Sequence, residues 1–77
     1  MTEGERIRED ILSVIRKFLS ERNDWVSGRE IAKATDLNYP IASNKGYITW
    51  SALAYLLDKK MVIDNGERGH NRKYKLP

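Results

Sequence analysis

Arg68, His70, Asn71, Arg72 and Lys73 crowd into six consecutive positions, just beyond the turn formers Asp64-Asn65-Gly66. Guanidinium, ammonium and amide groups at that density suit the oxygens of a polyanion, phosphate above all. Gly66 and Gly69 would let backbone come close to such a partner. A second set lies earlier: Asn44, Lys45, Tyr47, Trp50 and Ser51, followed by Tyr55. Carried on a helix, such groups can meet phosphates and base edges. Catalytic chemistry is harder to assemble. The chain has no cysteine and one histidine, which excludes a thiol nucleophile, a zinc–thiolate site and a histidine relay. No nucleophile, phosphate-loop or metal motif is present, and catalysis needs a pocket that 77 residues barely enclose. The reading is therefore no enzyme, no cofactor and no metal, with His70 a surface histidine.

These groups need elements to hold them. Residues 5–22 read as an amphipathic helix, with Ile7, Ile11, Val14, Ile15, Phe18 and Leu19 at three- and four-residue spacing. Asn23-Asp24 breaks it. Trp25-Val26 is a short β-favouring pair, with Trp25 read as core. Ser27-Gly28-Arg29-Glu30 matches a capping box, so a second helix runs from about 28 to 36 and buries Ile31, Ala32 and Leu37. Residues 37–44 form a loop, because Pro40 disfavours helix at Tyr39. Ser43 or Asn44 can cap a third helix over about 45–60, whose first turn Gly46 weakens. A strand at Met61-Val62-Ile63, a turn-rich stretch and an alternating return, Arg72 to Leu76, make a hairpin over 61–76. The alternation sends Tyr74 and Leu76 to one face and Arg72, Lys73 and Lys75 largely to solvent.

The length suits one domain spanning 1–77, with a small core of the kind that leans on partners. No apolar stretch approaches a bilayer span, and the polar start Met1–Arg6 does not read as a secretory signal. The expectation is an intracellular, cytoplasmic protein, nucleoid-associated if it binds DNA. The net charge of +3 is unevenly placed. Residues 59–77 hold six cations against two anions, +4, while residues 1–58 hold eight against nine, −1. Such asymmetry suits either a polyanionic partner or a well-solvated tail.

Helix, short strand, helix, loop, helix and two-stranded hairpin is an order that resembles the winged helix-turn-helix superfamily of DNA-binding domains. Two stretches carry the resemblance. Trp25-Val26-Ser27-Gly28-Arg29-Glu30-Ile31-Ala32 resembles the family's strand and capped second helix. Leu53-Ala54-Tyr55-Leu56-Leu57-Asp58-Lys59-Lys60-Met61-Val62 is similar to the end of its recognition helix and the start of its wing. Lys60 stands where a glycine is usual. The resemblance covers about residues 5–76, and it implies an α+β fold with a three-helix core and a hairpin wing. The connection before the third helix is about eight residues, longer than a tight helix-turn-helix turn of three or four. The left-handed-DNA readers of that superfamily are excluded, since Trp50 and Ala54 stand where they need asparagine and tyrosine, and the wing lacks their Pro-Pro-x-Trp.

Turned at 100° per residue, Ile48, Thr49, Ala52, Leu53 and Leu56 share an arc of roughly 140°, with Leu57 at its edge. Tyr47, Ser51, Ala54 and Asp58 lie opposite, and Trp50 and Tyr55 stand on the borders. That outer face is small enough for a major groove. The resemblance thus makes Asn44, Lys45, Tyr47, Trp50 and Ser51 base-reading candidates and Tyr55 a backbone contact. Arg68, His70, Asn71, Arg72 and Lys73 would grip flanking phosphates or a minor groove. Tyr47 and Trp50 have a second reading as residues that close the core, and Asn44 and Ser51 as plain caps or surface.

The functional expectation is sequence-specific binding of double-stranded DNA by a small transcriptional regulator. So few contacts favour a homodimer, for which the first helix is the long element free to serve. The alternative is a winged helix used as a protein-interaction module, which the nearly neutral, aromatic outer face of the third helix keeps open.

Overall fold

The structure, a computed structural model, describes residues 1–37 and 47–77, with only the backbone at Tyr47 and His70. Helix α1 spans Glu3–Ser20 and helix α2 spans Gly28–Thr35, with strand β1, Val26–Ser27, between them. Helix α3 spans Tyr47–Asp58. Strand β2 (Ile63–Asp64), a 3-10 turn (Gly69–Asn71) and strand β3 (Lys73–Lys75) complete the chain. The fold is α+β, three helices against a three-stranded antiparallel sheet of order β1-β3-β2. Among the described residues no helix is long and apolar enough to cross a membrane.

Helix α1 begins two residues earlier than its apolar spacing predicts, because Thr2 caps it. The Thr2 hydroxyl accepts from the Glu5 N–H at 3.2 Å, and the Glu5 carboxylate accepts from the Thr2 N–H at 3.3 Å. This reciprocal box satisfies two otherwise orphaned donors. The Thr2 side chain and backbone hold the Glu5 carboxyl below its ordinary value. The end also comes early. The Glu21 and Arg22 N–H groups tighten onto Phe18 and Leu19 carbonyls, and the Ser20 hydroxyl donates to Lys17 O at 2.6 Å. At α2 the Ser27 hydroxyl accepts from the Glu30 N–H at 3.1 Å, as its sequence predicts. The Glu30 carboxylate turns instead to Arg22, 3.4 Å away.

The core gathers Ile15 and Leu19 from α1, Val26 from β1, Ile31 from α2, Ala52, Leu53 and Leu56 from α3, then Val62 and Tyr74. Thr49 is buried with them. Of the wide apolar face read on α1, Ile15 and Leu19 are buried, Ile11 and Phe18 are half-buried against the core, and two residues are not covered. Ile7 and Val14 are exposed, Ile7 because residues 3–10 stand clear of the body and Val14 because it lies more than a quarter turn around the helix from Ile15 and Leu19. Trp25 also differs from its core reading. It is half-buried on the outside of the sheet, with the Lys75 ammonium 4.9 Å from its ring centroid. The register explains this. Val26 pairs with Tyr74, so its neighbour Trp25 falls opposite Lys75 on the other face. The hairpin is likewise more than two strands, since β3 sits centrally and pairs with both β1 and β2.

Helix α3 stops at Asp58 rather than about 60. The Met61 N–H reaches back to Leu56 O at 2.9 Å and the Lys60 N–H to Leu57 O at 3.0 Å. That pair of bonds is a Schellman stop, and it puts Lys60 at φ 60°, in the left-handed region. A lysine there bears a steric cost that glycine does not. Lys60→Gly should therefore stabilise the protein by about 1 kcal/mol and raise Tm by about 4–8 °C in a thermal melt. An unchanged or lowered Tm would contradict this account of the helix end.

Candidate nucleic-acid interface

Helix α3 turns one face inward, through Thr49, Ala52, Leu53 and Leu56, and leaves the other bare. On the bare side Trp50 is 62% exposed and Tyr55 48%. Ser51, Ala54 and Asp58 are exposed with them. Trp50 therefore does not close the core. The first turn of α3 carries no acidic residue, and Asp58 is the helix's only carboxylate. Beyond its end the Lys59 ammonium stands 5.7 Å from the Tyr55 ring centroid, a cation at the far edge of the same surface. Asn44 and Lys45 lie outside the described residues, as does the predicted helix start at 45.

The hairpin is organised by the side chains of two of its turn formers, Asp64 and Asn65. Asp64 accepts from the Gly66 N–H at 3.1 Å through one oxygen. Through the other it accepts from Arg72 Nε at 3.1 Å and Nη2 at 2.7 Å. Asn65 ties both sides of the loop. Its carbonyl oxygen accepts from the Glu67 and Lys73 N–H groups, each at 3.1 Å, and its amide donates to Asn71 O at 2.9 Å. The signal was present, since Asp and Asn favour such backbone bonds in turns. Gly66 at φ 78° and Gly69 at φ 63° supply the left-handed turns. A Cβ at either would meet nothing within 4 Å, so backbone conformation rather than close approach is what calls for glycine here.

This scaffold divides the predicted cations into two kinds. Arg72 is half-buried, clamped by Asp64, with its guanidinium 5.6 Å from the Tyr74 ring centroid. Lys75 lies over Trp25. Arg68 and Lys73 are exposed, and among the described residues neither has an ion-pair partner. Asn71 is exposed too, and His70 sits with it in the 3-10 turn. The unpaired cations of the tip thus reduce to Arg68 and Lys73, with the exposed Glu67 carboxylate beside Arg68 in sequence. Among the described residues no cluster of three His, Cys, Asp or Glu is placed to hold a metal.

No family model matches the chain, and no curated protein or solved structure matches it.

The Arg72 bonds hold the Asp64 carboxyl below its ordinary value, with the Gly66 N–H adding to the effect. A carboxyl lowered in the folded state contributes stability above its unfolded pKa, and that contribution fades as pH falls through the folded value. The Gly66 amide and Arg72 Nε–H resonances should therefore titrate together below about pH 4. Asp64→Asn should remove that step. A step at or above the ordinary aspartate value of about 4 in the wild type would contradict the clamp.

Proposed function

We propose that the protein is a winged helix that binds double-stranded DNA and serves as a small transcriptional regulator working in the cytoplasm. Helix α3 would lie in the major groove, and the β2–β3 hairpin would follow the flanking backbone. The observation that carries this reading is the bare face of α3, where Trp50, Ser51, Ala54 and Tyr55 are exposed and no carboxylate precedes Asp58. An uncharged helix face of small and aromatic side chains can approach base edges without repelling phosphate. The strand order β1-β3-β2 and the short α2 before α3 suit the same architecture.

In this reading the parts have separate roles. Ser51 and Trp50 face base edges, and Asn44, Lys45 and Tyr47 stay base-reading candidates on the sequence alone. Tyr55 and Lys59 contact backbone. Arg68 and Lys73, with His70 and Asn71 between them, neutralise phosphates. Arg72 acts through Asp64 as a positioning residue for the hairpin. The exposed aromatic pair Trp50 and Tyr55 also suits the anchor residues of a protein interface. A winged-helix interaction module is therefore the second reading.

Titrating a labelled mixed-sequence duplex by fluorescence anisotropy separates them. DNA binding should be salt-dependent, with each neutralised phosphate adding about 0.9 to the slope of log K against log salt. Arg68→Ala with Lys73→Ala should lower that slope by about two and weaken binding more than tenfold at low salt. Trp50→Ala should weaken binding while leaving the melt unchanged. No duplex binding at about 50 mM salt would overturn the DNA reading in favour of the interaction module.

A further inference from the structure

Helix α1 carries a second apolar stripe that the core uses only in part. Ile7, Ile11, Val14 and Phe18 are spaced four, three and four residues apart. They share an arc of roughly 60°, about a quarter turn around the helix from Ile15 and Leu19. Ile7 is 55% exposed and Val14 41%. Ile11 and Phe18 are half-buried against the edge of the core, and the Arg22 guanidinium stands 4.8 Å from the Phe18 ring centroid. With 18 residues, α1 is about 27 Å long, and its first half stands clear of the body. An alternating four–three apolar spacing is the pattern by which two helices pack along a shared seam.

We propose that this seam pairs with a second copy of the chain, α1 against α1 and antiparallel. The flanking charges select that occupant and that direction. Full overlap of the four apolar residues sets Ile7 against Phe18 of the partner subunit and Ile11 against Val14 of the partner subunit. The positions just before Ile11 and Phe18 are Asp10 and Lys17. In this register Asp10 faces the partner's Lys17, and the two-fold axis creates the pair twice. Among the described residues neither Asp10 nor Lys17 has an ion-pair partner in its own chain. A parallel alignment loses both pairs. It offers in their place only Glu3 beside the partner's Arg8, at the helix start rather than along its middle, since Arg22 lies beyond the end of α1 and is paired with Glu30. Four apolar side chains per helix bury less than the ~800 Å² per partner of a standard interface, so the dimer is weak, with Kd on the order of tens to hundreds of micromolar.

The seam stands on α1 alone and does not depend on DNA binding. Sedimentation equilibrium without DNA, from low to high micromolar protein, tests it. The wild type should pass from monomer to dimer. Val14→Glu should be monomeric throughout with an unchanged melt, because that side chain is already exposed. Asp10→Lys alone and Lys17→Asp alone should each weaken association at least tenfold. An equimolar mixture of those two variants should associate as well as the wild type. In the mixed dimer one chain carries a lysine at both positions and the other an aspartate at both, so each charge meets its opposite across the seam. A wild type that stays monomeric would overturn the proposal, as would a mixture no better than its components. A monomer that still bound duplex would leave the DNA reading standing.

Discussion

Tyr74 is the residue that ties the start of α2 to the C-terminal hairpin. It sits in the central strand, pairs with Val26 on one side and Asp64 on the other, and is buried to 4% exposure. Burial pushes its hydroxyl above the ordinary tyrosine value. Its ring lies under the start of α2, where a Cβ at Gly28 would come within 3.5 Å of it. A chain of 77 residues has little apolar surface to spare, so one aromatic ring shared by the α2 cap, the sheet and the hairpin is a large part of its core. The hairpin is thereby fastened to the helical body rather than hung from the end of α3.

That fastening explains how the candidate surface divides its labour. Arg72 stacks over Tyr74 and clamps Asp64, so its charge serves the hairpin's shape. Asn65 closes the loop from inside with three side-chain hydrogen bonds. Held in this way, Arg68 and Lys73 present charge from a defined tip, where a loose tail would lose affinity to ordering. Helix α3 is fixed in turn by Ala52, Leu53 and Leu56, which commits its opposite face, Trp50 and Tyr55 included, to solvent.

Much of the architecture was legible because its signals are local. The Ser27 cap, the turn formers after Asp64 and the inward face of α3 each rest on neighbours within a few residues, and the sequence carries them directly. Thr2 and Glu5 carry a signal of the same kind, a capping box at the start of α1. What was not legible depends on contacts distant in sequence. Periodicity makes Ile7 and Val14 look like core, yet it cannot say which stripe of the helix the body covers, or that the body ends before the helix does. A lone Trp25 looks buried until its register against Lys75 is known. Among the interface candidates, composition counts Arg72 with Arg68 and Lys73, and only the fold separates the clamp from the free cations. Asn44 and Lys45 lie outside the described residues and stand on sequence alone.

The most direct test of the account is a map of amide and indole resonances in the labelled protein as a DNA duplex is added. The account predicts shifts at the Trp50 indole, Ser51, Tyr55, Arg68 and Lys73, with residues 3–14 of α1 unmoved. Shifts that gather on α1, or a spectrum that does not change at low salt, would contradict it.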